Sequence, residues 1–547
     1  MGRSDRRIRG LHPQSQAAED QPEMAPPDHR LHERLLHQRR VRRPREDLKD
    51  NTTMNAEETR ILTDRLIPVP KKVKFKDGPV YQLRKGCSVV LCGPAAVRKT
   101  AAALFKSYWQ IVPGITVKES SAAKKLSSEA YRIKVTGFEL EISAATAAGL
   151  MNAMKTLRQL AEPDRGTEKL TGYFLVQCEI GDEPAMEFRG IHLCVFPETP
   201  LWDIEKQIRL AAYHKFNYAV IETWGVFPFE SHPEFCWADR WIDKKELKRL
   251  IRLGKELGIT LVPQFNLLGH AAASRSVTGK HAILDYHPEL QPLFEPEGWT
   301  WCVSNPNVRR ILTDLVLELY EFYDRPPFFH IGCDEADNIG TCRDCRHHVL
   351  KDLVRDHILY FHDLFRKKGA RIIMWHDMLL EKGDPRWKGY IVCGLPKHKL
   401  SSLYKELPRD IVIADWQYGY KAKDEDPEPE WPTTKFFKNE KFSVLVCPWL
   451  NTGGTVSLGK MAAKEKLFGM LETTWHVSHD TKFLNIFGHA ACSAWNPAVI
   501  CTDALGFRLS IAHHVRQIGW DMKVSEYEKT GFAQYQVDPG HHPHQIY

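Results

Sequence analysis

The 547 residues, 43% of them hydrophobic and 27% charged, can bury a sizeable core, and about 150 residues per domain predicts two to four units, fewer if one is a barrel. No apolar run approaches the roughly 18 residues that span a bilayer, which excludes a membrane protein built on transmembrane helices. The net charge of +7 is spread without a basic stripe interleaved with aromatics, so no nucleic-acid partner is expected.

Residues 1–57 form a basic N-terminal extension: the first 53 are rich in Arg, His, Gln and Pro and hold too few aromatic and β-branched residues to bury a core, which predicts disorder. The run HQRRVRRPRE reads as a solvated tail, Met54 as an alternative start, and neither start carries a secretory signal pattern. Residues 58–184 read as a small α+β domain. LIPVPKKVKF and VYQLRKGCSVVL alternate like strands, AAALFKSYWQIV like a helix, and EAYRIKVTGFELEIS like a hairpin turning at Gly137. A helix follows with Leu150, Met154, Leu157 and Leu160 on one stripe.

From residue 185 to 530 short apolar strands alternate with helices, the pattern of a (β/α)₈ TIM barrel. The predicted strands are FRGIHLCVF, NYAVIET, TLVPQFN, FFHIGCDE, RIIMWHDM, DIVIADW, SVLVCPWLN and HAACSAW, with helices such as KKELKRLIRLGKELG and NVRRILTDLVLELYEFY between them. Residues 531–547 remain as a C-terminal tail. Thirteen cysteines, an odd number scattered mostly singly in apolar stretches, read as thiols in a reducing compartment and predict a cytoplasmic protein.

Barrel enzymes carry their chemistry at the carboxyl ends of the strands, so polar residues that abruptly end apolar runs mark the candidate site. They are Arg189, Glu222, Asn266 with His270, His330, Asp334 with Glu335, Trp375 with Asp377, Asp415 with Trp416 and Tyr418, Trp449 with Asn451, and Trp495. Carboxylates for proton transfer, indoles for stacking on a sugar face and an arginine for hydroxyls suit a glycan pocket better than a phosphate site. In FFHIGCDEA the adjacent Asp334 and Glu335 cannot both ionise easily, so one should be pushed up into a proton donor; a solvated surface pair is the plainer reading of such a dipeptide alone.

HIGCDEA resembles the His-x-Gly-x-Asp-Glu signature of glycoside hydrolase family 20. FRGIHL is similar to that family's first barrel strand, NLLGHA to its Pro-Gly-His loop, IIMWHDM to its Trp-x-Asp, and GLMNAMKTLRQL to the end of its small N-terminal domain. The resemblance implies an exo-β-N-acetylhexosaminidase that releases terminal β-linked GlcNAc or GalNAc with retention, the sugar's own acetamide oxygen attacking the anomeric carbon. Glu335 would then be general acid and base, and Asp334 would orient the acetamide N–H. Arg189 would hold hydroxyls, Trp375, Trp416 and Trp495 would wall the pocket, and His270 or His330 would position the carboxylates or be purely structural.

The chain departs from the family pattern in three places. Pro263-Gln264-Phe265-Asn266 lacks the family's acidic partner for the histidine, for which Glu222 is the candidate replacement; Trp495-Asn496-Pro497 stands for Trp-x-Glu; and Leu450 stands for a tyrosine, leaving Tyr418 as donor to the acetamide oxygen. These departures resemble the divergent hexosaminidase D-like branch. The alternatives are a catalytically weak carbohydrate-binding protein on the same fold and a disaccharide-releasing glycosidase. Cys342 and Cys345 form half of a zinc motif that Cys302 or Cys333 could complete in space, but ordinary thiols are the favoured reading, so no metal or cofactor is expected. The expected partner is a glycan or glycoconjugate, with a homodimer as a further possibility.

Overall fold

The computed structural model describes residues 54–520 apart from 96, 110, 112, 165, 167–169, 238–239, 272–282, 420–428, 476–481 and 500–503. The chain divides into Met1–Asp50 and a compact unit from Asn51 onward, and all described residues lie in the second. The predicted tail and residues 1–53 of the predicted extension fall outside the described residues, whereas Ala56 and Glu57, assigned to the extension from sequence, open the helix Ala56–Asp64.

The first part of that unit is a six-stranded sheet in which Lys72–Phe75, Cys178–Asp182, Tyr131–Val135, Leu140–Ala144, Ser88–Cys92 and Gly114–Lys118 lie side by side in that order. Tyr131–Val135 and Leu140–Ala144 pair antiparallel, with Val135 opposite Leu140. The hairpin therefore turns through Gly137. Strand Tyr131–Val135 alternates buried and exposed because one face of this sheet meets the helix Ala147–Leu160. That helix buries Leu150, Met154, Leu157 and Leu160 in the domain's core, and Thr146 caps it by accepting the Gly149 N–H.

Eight parallel strands then close into a barrel: β1 (Phe188–Val195), β2 (Tyr218–Thr223), β3 (Thr260–Gln264), β4 (Phe328–His330), β5 (Arg371–Trp375), β6 (Val412–Trp416), β7 (Ser443–Cys447) and β8 (Gly469–Thr473). β1 pairs with β8, Phe188 opposite Gly469, which closes the ring. Gly469 is obligatory there, since a Cβ would come within 2.0 Å of the Phe188 carbonyl oxygen. Helices α1 (Leu201–Tyr213), α2 (Lys244–Leu257), α3 (Pro306–Phe322), α4 (Leu350–Arg366), α5 (Pro432–Asn439) and α6 (Thr452–Glu465) follow successive strands except β5, after which only 3₁₀ turns are found among the described residues. Helices α7 (Lys482–Trp495) and α8 (Ala504–Trp520) follow β8.

The barrel lumen is packed, not open. At its amino end Phe188 stacks on Tyr218 with centroids 4.3 Å apart and meets Phe328 edge-on at 5.6 Å. Val220, Val262, Ile373, Val412, Leu445 and Leu471 belong to the same cluster. At the carboxyl end these apolar residues give way to His192, Glu222, His330 and Trp375, all buried, so the carboxyl face has a polar and aromatic floor.

The eighth strand corrects the sequence reading. HAACSAW lies in α7, and the strand is Gly469–Thr473. Alanine is the strongest helix former and a poor strand former, so three alanines in that run favour the helix, whereas a five-residue strand with a glycine gives little alternation to read.

Candidate active site

β4 ends at His330, and the chain then makes a tight excursion in which Gly332, Cys333 and Glu335 all have positive φ, at 64°, 73° and 45°. For Cys333 and Glu335 this left-handed backbone is costly and persists only where the surroundings hold it. The holding groups are visible: the Glu335 N–H donates to Asp377 Oδ2 at 2.9 Å, and the Glu335 carbonyl accepts the Trp299 indole N–H at 2.6 Å. The excursion places Asp334 buried, with its side chain 6% exposed, and leaves the Glu335 side chain 30% exposed, so the second carboxylate alone opens to the cleft.

His270 bridges the pair, its Nε2 lying 3.0 Å from Asp334 Oδ2 and 3.5 Å from Glu335 Oε2. Its loop can approach because residue 269 is glycine; a Cβ there would stand 2.0 Å from the Asp334 carbonyl oxygen. Trp299 packs against His270 at 4.4 Å, and Trp224 lies beyond it at 6.1 Å.

Asp377, at the start of the 3₁₀ turn after β5, is fully buried and accepts from Glu335 N and, at 3.2 Å, from Trp416 Nε1. Burial, followed by the charge of Asp334, pushes its carboxyl up to about 8. The carboxyl that is raised is thus this third one, outside the dipeptide.

Aromatics ring the carboxylates. Trp375 is fully buried and floors the site, 4.4 Å from His330 and 5.4 Å from Trp475. Trp416, Tyr418 and Trp449 form a wall with successive centroid separations of 5.7 and 5.2 Å. The Tyr418 hydroxyl accepts the Trp475 indole N–H at 2.7 Å and also bonds with the Thr473 side chain. Burial raises the Tyr418 hydroxyl well above its ordinary range, so it stays a donor.

The floor explains two further expected residues. His330 is held neutral, its pKa brought down to about 3 by burial and then by His192, and its Nδ1 accepts the Gly332 N–H. Glu222 faces His192 Nε2 at 3.2 Å, accepts the Asn266 amide at 2.8 Å, and takes a bond from Cys194 at 3.4 Å. This cluster, in place of the direct partnership with His270 expected from sequence, is where Glu222 is found. Its donors lie within 4.8 Å of one another. Cys194 links the other two, bonding to Glu222 and lying 4.0 Å from His192 Nδ1, which suits a floor.

Two expected site residues lie elsewhere, and a third, Asn451, serves a helix. Arg189 is the second residue of β1, at the amino end, opposite to the carboxylates. Its guanidinium pairs with Glu129 of the small domain and donates to the Met186 and Lys215 carbonyls. Trp495 ends α7 beneath that guanidinium at 5.0 Å, joins the small-domain core, and donates to Asp182 Oδ2 at 2.9 Å. Both therefore join the barrel's amino end to the small domain, and neither can touch a ligand held by Glu335. Asn451 caps α6 by accepting the Gly454 N–H at 2.7 Å.

Sequence reasoning missed His192, Trp299 and Trp475. His192 was signalled by a lone polar residue inside the apolar FRGIHLCVF. Trp475 was hidden by the misplaced eighth strand, and Trp299 sits in a loop that pattern alone does not bring to the site. A groove of about 950 Å³ between Phe196, Trp202 and Trp241 opens one aromatic layer away, since Phe196 packs on Trp224 at 4.8 Å and Trp224 on His270.

A closed barrel carrying paired carboxylates under a histidine and a ring of indoles at its carboxyl face defines the class of barrel glycoside hydrolases. Within that class the chain belongs to glycosyl hydrolase family 20: residues 63–182 match the model for domain 2 of the family, and residues 238–475 the model for its catalytic domain. A beta-hexosaminidase of Porphyromonas gingivalis is 25% identical over 290 residues, covering 48% of this chain and 37% of that protein. A beta-hexosaminidase of Vibrio furnissii is 23% identical over 413 residues, covering 67% of this chain and 65% of that protein. The chain thus spans about one third to two thirds of the length of these relatives. In fold it is similar to the exo-beta-N-acetylglucosaminidase of Vibrio harveyi solved with N-acetylglucosamine, with a TM-score of 0.63, 15% identity and coverage of 88% and 80% of the two chains. It is likewise similar to the beta-N-acetylhexosaminidase of Bacteroides fragilis, with a TM-score of 0.59, 19% identity and coverage of 83% and 96%.

Proposed function

We propose that this chain is an exo-β-N-acetylhexosaminidase that removes terminal β-linked GlcNAc or GalNAc with retention by substrate-assisted catalysis. The observation that carries the reading is the unequal pair: Asp334 buried and Glu335 open to the cleft, both within reach of one histidine. Glu335, the exposed member, protonates the leaving oxygen and then takes a proton from the attacking water. Asp334 accepts the acetamide N–H and stabilises the positive charge that spreads over that group as its oxygen attacks the anomeric carbon. Tyr418 donates to the same acetamide oxygen, which fixes its direction of attack. Asp377, neutral at pH 7, adds no further negative charge to the site while it braces the Glu335 backbone.

With Arg189 at the other end of the barrel, the sugar's outer hydroxyls lack the arginine read from sequence, and the choice between gluco- and galacto-configured sugars falls to other groups at the carboxyl face. The described cysteines are present as thiols, which supports the reading of a reducing, cytoplasmic setting. The direct experiment is chromophore release from aryl N-acetyl-β-glucosaminide, aryl N-acetyl-β-galactosaminide and the plain aryl β-glucoside. Turnover of one or both acetamido substrates with very slow release from the plain glucoside is expected; comparable rates on the glucoside, or none on any, would overturn the reading.

A further inference from the structure

The loop that leaves the catalytic dyad carries Cys342 and Cys345, and a separate loop, preceding α3, brings Cys302 to them. Cys302 Sγ lies 3.5 Å from Cys342 Sγ and 3.6 Å from Cys345 Sγ, and all three sulfurs fall within 4.8 Å of one another. The Ser304 hydroxyl completes the group at 3.1 Å from Cys345 Sγ and 3.3 Å from Cys302 Sγ. Cys302 and Cys345 are buried and Cys342 is half-buried, so the cluster is shielded yet reachable from one side.

These separations suit a soft metal. Zinc bound to thiolates at about 2.3 Å in a tetrahedron sets neighbouring sulfurs about 3.8 Å apart. A disulfide needs sulfurs at about 2.05 Å and can join only two of the three, stranding the third thiol in a buried pocket. Cys342 and Cys345 have the C-x₂-C spacing common in structural zinc sites, and the Cys345 N–H donates to Cys342 Sγ at 3.2 Å.

We propose that Cys302, Cys342 and Cys345 bind a structural zinc ion, with the fourth position taken by the Ser304 hydroxyl or a water beside it. Each Zn–S bond forms as a thiol gives up its proton to solvent, and no electron transfer is involved. The ion ties together the two loops that brace the dyad. Three residues before Cys302, Trp299 donates to the Glu335 carbonyl, while Cys342 lies seven residues beyond Glu335. The buried Glu295 already links the same loops, accepting from Gly340 N at 3.0 Å and Thr341 Oγ1 at 3.2 Å. The site thus staples the catalytic loop from outside without facing the cleft.

The test uses the full chain, expressed in zinc-supplemented medium and purified in reducing buffer without chelator. Elemental mass spectrometry should find about one zinc per chain, falling to background in Cys342→Ser and in Cys345→Ser and unchanged in Glu335→Gln. Because a cysteine variant can misfold, the wild-type chain is also stripped with a mercurial and refilled with cobalt(II). A thiolate-to-cobalt charge-transfer band and tetrahedral visible bands are expected, and stripping should lower the melting temperature. The proposal is overturned if the reduced wild-type chain takes up neither zinc nor cobalt, if the cysteine variants keep stoichiometric metal, or if alkylation and intact mass show two of the three thiols joined as a disulfide.

Discussion

Replacing Asp377 with asparagine separates the bracing of Glu335 from the acidity of the site. The wild-type carboxyl accepts two N–H donors, from Glu335 and from Trp416. Asparagine offers one acceptor oxygen and a second donor, so whichever way it turns, one N–H faces another N–H. Leaving a buried donor without its acceptor costs about 1 to 3 kcal/mol. If that cost is expressed in the positioning of Glu335, kcat/KM at pH 6 falls about 5- to 150-fold. The pH dependence gives the sharper signature. With its carboxyl raised to about 8, Asp377 holds its proton in the folded chain over a range where the unfolded chain has lost it. Its contribution is therefore neutral below the unfolded value near 4 and increasingly unfavourable as pH rises toward about 8. The fully ionised form is destabilised on the order of 5 kcal/mol. Asparagine cannot ionise, so the variant should lose less stability than wild type on going from pH 5 to pH 9. Denaturant melts and kcat/KM on an aryl N-acetyl-β-glucosaminide, both taken from pH 5 to 9, measure the two effects. Parallel stability profiles for the two proteins, or a loss in kcat/KM below twofold at pH 6, would refute the assignment.

Arg189→Met should lower stability by roughly 3 to 5 kcal/mol, because it strands the Glu129 carboxylate and the carbonyls the guanidinium serves, while KM stays within twofold; a raised KM with unchanged melting temperature would return Arg189 to the substrate. Tyr418→Phe should cut kcat/KM about 5- to 150-fold through one lost hydrogen bond to the acetamide oxygen. Unchanged kinetics on acetamido substrates would remove the tyrosine from that role. Asp334→Asn should cost about 100- to 1,000-fold in rate and weaken inhibition by a thiazoline mimic of the cyclised sugar. A sugar found covalently attached to Asp334 by mass spectrometry would show a nucleophile in its place.

Seven of the eight barrel strands were legible because each is a short apolar run beside a helix of clear period, most of them β-branched, as in DIVIADW and SVLVCPWLN. The eighth was not, because Gly469–Thr473 is short and the alanine-rich run after it imitates a buried strand. That one slip carried Trp495 into the predicted pocket and kept Trp475 out. The carboxylates, His270, Trp416 and Tyr418 were readable because each lies within a few residues of a correctly placed strand end. Arg189 was misplaced for a different reason: a basic residue beside an apolar strand reads the same from either end of the barrel, and only the register, Arg189 opposite Met470 at the start of β8, fixes it at the base. Trp299 and the meeting of Cys302 with Cys342 and Cys345 depend on how long loops fold back, about which local pattern is silent.

The central claim is that Glu335 delivers the proton to the leaving oxygen. It is tested by comparing Glu335→Gln with wild type across aryl N-acetyl-β-glucosaminides of graded leaving-group acidity. The variant should fail badly on poor leaving groups and retain much more of its rate on the most acidic phenols, which need little protonation, so that a plot of log rate against phenol pKa steepens. Equal losses across the series would mean that another group gives the proton and that the dyad has been assigned wrongly.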